Sequence, residues 1–131
     1  MRHQLLAEFG YLTLEYDAVE EFIHAIWQGE QTDDTIREGY ESILQYLRLE
    51  RCARLLDNHL AIHGLWVSQT DWLAFDWYPR AVAAGLQYHT VVYSLDFFSQ
   101  RSTREAIAKI PGGLVAGFSD VEVAQKALLS M

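Results

Sequence analysis

Apolar and polar residues alternate along His3–Phe9 and again along Tyr11–Tyr16. In the second run Leu12, Leu14 and Tyr16 fall on one side and Thr13 and Glu15 on the other, the period-two mark of a half-buried strand. Gly10 separates the two runs, as a turn or as a bulge. Phe22–Trp27 (FIHAIW) reads as a third strand closed by Gly29, and the short connections predict an antiparallel meander. The period then changes. Ile36, Tyr40, Ile43, Leu44 and Leu47 form the single apolar stripe of a helix. Thr32 and Asp33 are candidate N-caps, while Arg48 and Arg51 suit the negative end of its dipole.

Beyond the helix the chain alternates strand and helix. Ala53–Asp57 (ARLLD) predicts a fourth strand, followed by a loop over 58–67. Ser68 with Asp71 has capping-box spacing and predicts the start of a second helix, kinked or split at Pro79 and stopped at Gly85. Leu86–Ser94 is an apolar fifth strand fit for a central parallel position. Phe97–Lys109 is a third helix, ended by Pro111, Gly112 and Gly113; Leu114–Phe118 is a short last strand. Ser119 or Asp120 caps a final helix with Val121, Ala124, Ala127 and Leu128 on one face. The order β-β-β-α-β-α-β-α-β-α describes one α/β domain over residues 1–131: an antiparallel meander, then β-α repeats with right-handed crossovers and helices packed on a mixed sheet. The core is expected to include Leu14, Ile26, Ile43, Leu47, Leu56, Val91, Val92, Val115 and Leu128.

Composition narrows the function classes. Ten basic residues against 18 acidic ones give a net charge of −8. The excess lies in residues 1–50, which carry eleven acids and three bases. That balance argues against nucleic acid and against an anionic membrane surface. It suits a solvated face or a docking surface for a basic partner. A single cysteine, Cys52, permits no internal disulfide, so a cytoplasmic setting is expected. The opening residues lack the apolar centre of a signal peptide, and no run is long enough for a membrane span.

The element order, with IWQG (Ile26–Gly29), LLD (Leu55–Asp57), DWLAFDWYP (Asp71–Pro79), Gly85 and FSDVEVA (Phe118–Ala124), resembles the SpoIIAA-like proteins, relatives of the STAS domain of bacterial anti-sigma-factor antagonists. The resemblance runs over nearly the whole chain. It implies a STAS/SpoIIAA-like fold and a non-enzymatic binding or signalling module, acting through a protein partner or a homodimer. Phospho-switched antagonists carry an Asp-Ser-Ser-Gly-type loop directly after the strand matching ARLLD. Here Asp57, Asn58, His59 and Leu60 stand in its place, and the next hydroxyl is Ser68. The usual phosphoacceptor is missing.

Polar residues cluster at Asp57, Asn58, His59, His63, Ser68 and Asp71, near the strand ends where open α/β sheets bind ligands. Asp57, His59 and His63 have the donor types of a divalent-metal site, yet D-x-H-x-x-x-H matches no strong metal motif. No catalytic metal or cofactor is expected. A Ser68–histidine–aspartate triad lacks the G-x-S-x-G elbow, and Cys52 reads as a small buried apolar residue. Trp66, Trp72, Phe75, Trp77 and Tyr78 crowd into thirteen positions; they serve as core, as a homodimer contact, or as the wall of an apolar pocket. The alternative to an interaction module is therefore a carrier of, or enzyme on, a small apolar ligand. Its pocket is expected at Asp57, His59, His63, Trp66, Ser68 and Trp72.

Overall fold

The computed structural model describes residues 2–111 and 114–131; Gly112 and Gly113, expected to help stop the third helix, lie outside them. Strands β1 (His3–Glu8), β2 (Leu12–Asp17) and β3 (Phe22–Glu30) form the antiparallel meander. Strands β4 (Arg54–His63), β5 (Tyr88–Val92) and β6 (Val115–Phe118) then add in parallel, giving one six-stranded sheet in the order β1-β2-β3-β4-β5-β6. The chain is α/β with a mixed sheet, as its hydrophobic pattern implied.

Helix α1 (Asp33–Leu49) opens on a reciprocal cap: Thr35 N donates to Thr32 Oγ1 at 3.2 Å, and Thr32 N donates to Thr35 Oγ1 at 2.9 Å. Its stripe of Ile36, Tyr40, Ile43, Leu44 and Leu47 is buried throughout. Helix α4 (Phe97–Lys109) has the bounds its sequence implied, and α5 (Val121–Ser130) is capped by Asp120, whose Oδ1 accepts from Val123 N. Successive crossovers of one hand, moving one way across a sheet, land on one face. Accordingly α1, the segments after β4, and α4 share the main core with Leu14, Trp27, Leu55 and Val91, while α5 covers the opposite face over Phe22, Leu56 and Val92.

Three expectations need correction. The fourth strand does not stop at Asp57 but runs to His63, so the expected loop begins later. Ile26 is not a core residue: Ile23, Ala25 and Trp27 face the main core, and Ile26 lies on the other phase, half-buried. Ser68 does not cap a helix. The chain leaves β4 through a 3-10 turn (Val67–Gln69), then α2 (Thr70–Trp72), a π-helical turn (Leu73–Trp77) and α3 (Tyr78–Ala83), with no side-chain cap at either start. Pro79 sits in the first turn of α3, where its missing N–H costs least. Gly85 follows with φ +112°, the left-handed stop that a glycine supplies.

Candidate functional site

The interior of the main face is not purely apolar. Asp57 on β4 is fully buried, and its carboxylate accepts three hydrogen bonds and lies beside a second imidazole. Trp27 Nε1 on β3 donates to Oδ1 at 2.8 Å, and the Tyr40 hydroxyl on α1 donates to Oδ2 at 2.6 Å. His59 Nε2 lies 3.1 Å from Oδ1, and His89 Nε2 on β5 lies 3.0 Å from Oδ2. A carboxylate only accepts, so His89 Nε2 donates to it, while His59 Nε2 also lies 3.1 Å from the Tyr40 hydroxyl. Burial alone would raise the pKa of Asp57; charge and hydrogen bonds from His59 and His89 outweigh it and hold the carboxyl well below the usual range. Burial, and then Asp57 itself, push the Tyr40 and Tyr78 hydroxyls up. Both therefore stay protonated at neutral pH, and Tyr40 is the one that donates to Asp57.

Aromatic rings pack this carboxylate in. Trp27 and Tyr40 lie 5.0 Å apart by ring centres, Tyr40 meets Trp77 edge-on at 5.0 Å, and Tyr78 stacks on His89. Trp77 Nε1 donates to the Tyr40 carbonyl at 2.6 Å. Helix α1 approaches this layer through Gly39, where a Cβ would come within 2.3 Å of the Trp27 ring.

His59 shares the inward face of Leu55 and Asp57 by the strand's period of two, and an irregularity just beyond it brings Ile62 to the same core. Ile26 pairs with Asn58 but Gln28 with Ala61, so β4 holds one residue more than β3 there. Bulges of this kind redirect side chains: both His59 and Ile62 are buried on the same core, although three positions separate them. His59 Nδ1 meets the Thr103 hydroxyl of α4 at 3.0 Å, and its ring meets Trp66 edge-on.

Between this network and α4 lies a small cavity of about 10 Å³, roughly the space of one water molecule. Asp57, Tyr40, His59, His89, Trp66 and Thr103 line it together with Leu73, from the π-helical turn, and Ile107, and its accessible wall is almost wholly apolar. Among the described residues, two buried side-chain atoms have no hydrogen-bond partner, Trp66 Nε1 and His89 Nδ1. Both belong to residues lining this cavity. π-Helical turns also recur at functional sites.

Of the residues singled out in the sequence, Asp57, His59 and Trp66 come together and three others do not. His63 is exposed and pairs in register with Glu30, so the Asp57–His59–His63 metal triple is not assembled. Ser68 is exposed and donates to Asp33 Oδ1 at 2.8 Å, away from either histidine, so no triad forms. Trp72 is half-buried beneath the Arg37 guanidinium, 5.2 Å from the ring centre. Cys52 is buried, and burial raises its thiol, which disfavours a nucleophile. Sequence reading missed Trp27, Tyr40, His89 and Thr103. The available signal was polar side chains inside apolar patterns: Tyr40 in the helix stripe and His89 in the fifth strand.

Among the described residues no helix is long and apolar enough to cross a membrane. No family model and no curated protein matches the chain.

Proposed function

We propose that this chain is a SpoIIAA-like, STAS-related binding module that takes up a small, mainly apolar molecule. The molecule is held by one polar end between α4 and the Asp57 network. The observation that carries this reading is a pair of buried unpartnered atoms, Trp66 Nε1 and His89 Nδ1, on two residues that line one mainly apolar cavity. A buried polar group without a partner costs about 1–3 kcal/mol, and such groups persist where a ligand or an ordered water completes them. The kinship itself rests on the order of elements, a meander followed by β-α repeats, and on the short motifs named above. Asn58 and His59 follow Asp57 where a phospho-switched relative has hydroxyls, which favours recognition over phosphorylation at that strand end.

Entry of anything larger than water requires α4 to shift outward. Its polar ties on this side are Thr103 to His59, Ser102 Oγ accepting from Trp66 N at 3.1 Å, Ser99 Oγ donating to the Gly64 carbonyl, and Lys109 Nζ donating to Thr70 Oγ1 at 2.7 Å. Native mass spectrometry of the protein purified without denaturation tests the reading. A retained small molecule, lost from Trp66→Phe, is the expected result. No retained mass, together with no saturable tryptophan response to aliphatic ligands, contradicts it.

A second reading is favoured by a different observation. Leu65, Leu95, Phe97 and Phe98 are exposed at the entry to α4, and the two segments are tied together by Gly64 N donating to Asp96 Oδ2 at 2.8 Å. An exposed apolar group of this kind suits a protein partner or a second copy of the chain. Phe97→Glu with Phe98→Glu then abolishes association in sedimentation experiments while leaving ligand response intact.

A further inference from the structure

We infer that the exposed residues Leu65, Leu95, Phe97 and Phe98 are the centre of a two-fold interface between two copies of this chain, in which Arg101 of each copy faces Glu30 of the other. This rests on the protein-contact reading above and assigns that surface one occupant. The backbone that presents the patch is firmly held. Ser94 Oγ donates to the Ile62 carbonyl at 2.6 Å and accepts from Asp96 N at 2.9 Å, while Asp96 Oδ2 accepts from Gly64 N at 2.8 Å. These bonds tie the turn before α4 to the end of β4. They leave Leu95 86 % and Phe97 69 % exposed on a fixed turn. The Phe97 and Phe98 rings meet edge-on, 5.7 Å apart by their centres. A surface already held in its exposed form loses little further freedom on docking.

Charge selects the occupant. The sheet order β3-β4-β5 sets three segments in line at this end of the molecule. On the β3 side lies Glu30, exposed at the strand's end, with its Oε1 only 3.4 Å from where a Cβ on Gly64 would stand. Asp33 is on that side too, accepting from Ser68. On the other side is α4. Ser99, Ser102 and Thr103 tie it to β4 and the segment after it, so the helical period turns Phe97, Arg101 and Arg104 away from β4. Arg104 lies over the Tyr93 ring, 4.3 Å from its centre. Arg101 is exposed, and its 3.9 Å approach to Glu105 is a surface pair of little strength. The strip therefore runs acid, apolar, base. A two-fold axis across such a strip sets each acidic end against the other copy's basic end, whereas an axis along it would set like charges together. A partner that is basic throughout would meet Arg101 and Arg104 with like charge. An acidic partner or an anionic membrane would meet Glu30 and Asp33 in the same way. A second copy satisfies both ends at once. An aromatic side chain can bury roughly 150–250 Å², so two exposed phenylalanines and two leucines supply a sizeable apolar share of the roughly 800 Å² that each side of a standard interface contributes.

Sedimentation equilibrium of the wild-type protein, loaded at about 1–200 µM, tests this in the range where interfaces of ordinary size associate. A monomer–dimer equilibrium is expected, abolished by Phe97→Glu with Phe98→Glu. Arg101→Glu and Glu30→Lys each alter a contact made twice across the two-fold interface, and each should weaken the dimer about tenfold. An equimolar mixture of those two variants should recover wild-type association to within about threefold, because the mixed dimer again pairs opposite charges at both ends. All four positions are exposed, so every variant should keep the wild-type far-ultraviolet circular dichroism. A wild-type monomer at every loading would overturn this inference and leave the surface to a different protein partner. A dimer that survives Phe97→Glu with Phe98→Glu would move the contact elsewhere and remove the protein-contact reading as well. A dimer that the phenylalanine changes abolish, but that neither charge variant weakens or that mixing them does not restore, would refute the charge-matched two-fold arrangement.

Discussion

A carboxylate removed wholly from water costs several kcal/mol unless hydrogen bonds and opposite charge replace its hydration. At Asp57 the replacement is complete: two aromatic donors and two imidazoles reach its two oxygens. The interaction is therefore worth most as a set, and removing its centre strands the buried donors of Trp27, Tyr40 and His89. Asp57→Ala should lose about 3–5 kcal/mol in urea denaturation, the range for breaking a buried ion pair from one side. Asp57→Asn should lose somewhat less, because one oxygen survives while the new NH₂ faces a donor. A loss under about 1 kcal/mol in both would mean the network is not held as described. Ser68 belongs at the opposite extreme. Its hydroxyl is exposed and bonds only to Asp33 among the described residues, so Ser68→Ala should change stability by less than about 0.5 kcal/mol. A loss near 1 kcal/mol would instead match a helix cap.

At the level of elements, local chemistry was legible wherever one rule decided the outcome. Thr32 announces α1, Asp120 announces α5, and the bounds of α4 follow from its composition and the proline beyond it. Legibility failed where two rules competed. The polar residues Asn58, His59 and His63 look like a loop, yet they continue β4 because a bulge lets the strand keep its buried side facing inward. The Ser68–Asp71 spacing looks like a cap, but the chain enters α2 through a 3-10 turn that shifts the helix start beyond it. Packing also overrides propensity in α1. Gly39 weakens an isolated helix by about 1 kcal/mol relative to alanine, but a Cβ there would collide with the Trp27 ring and press on Leu12. Gly39→Ala should therefore destabilise the protein, with a net loss of about 1–3 kcal/mol typical of overpacking, and should perturb the near-ultraviolet circular dichroism of Trp27. A gain in stability would show that the ring can move aside. Leu47→Ala removes a fully buried stripe residue of the same helix and should lose about 2–5 kcal/mol.

For the molecule as a whole, the sheet's sequential order brings the site together from five elements, which is why a one-dimensional reading found only part of it. Asp57 and His59 were visible because they sit two residues apart; Trp27, Tyr40 and His89 reach Asp57 only after β3, α1 and β5 have packed. The same burial makes stability depend on pH. On the opposite face of the sheet, His24 accepts from Asn58 Nδ2 at 3.3 Å, an arrangement that uses its unprotonated nitrogen. Burial, and then the neighbouring His3, lower His24 from an ordinary 6.5 to about 4. Above pH 6.5 neither the folded nor the unfolded chain protonates it, and its contribution is level. As pH falls from 6.5 towards 4 the unfolded chain gains the proton and the folded one does not. Folding then weakens by up to about 3 kcal/mol over that interval. Asp57 acts lower on the scale: its depressed folded value keeps its contribution intact above its ordinary value of about 3.9, and the contribution is lost on further acidification. The two phases are separable. Urea denaturation measured at half-unit steps from pH 7.5 to 3.5 should fall first between 6.5 and 4, and His24→Gln, which keeps a polar side chain but cannot titrate, should flatten that phase alone. An unchanged slope between pH 6.5 and 4.5 in His24→Gln would mean that His24 protonates in place at no cost, and would assign the acid sensitivity of the fold to other groups.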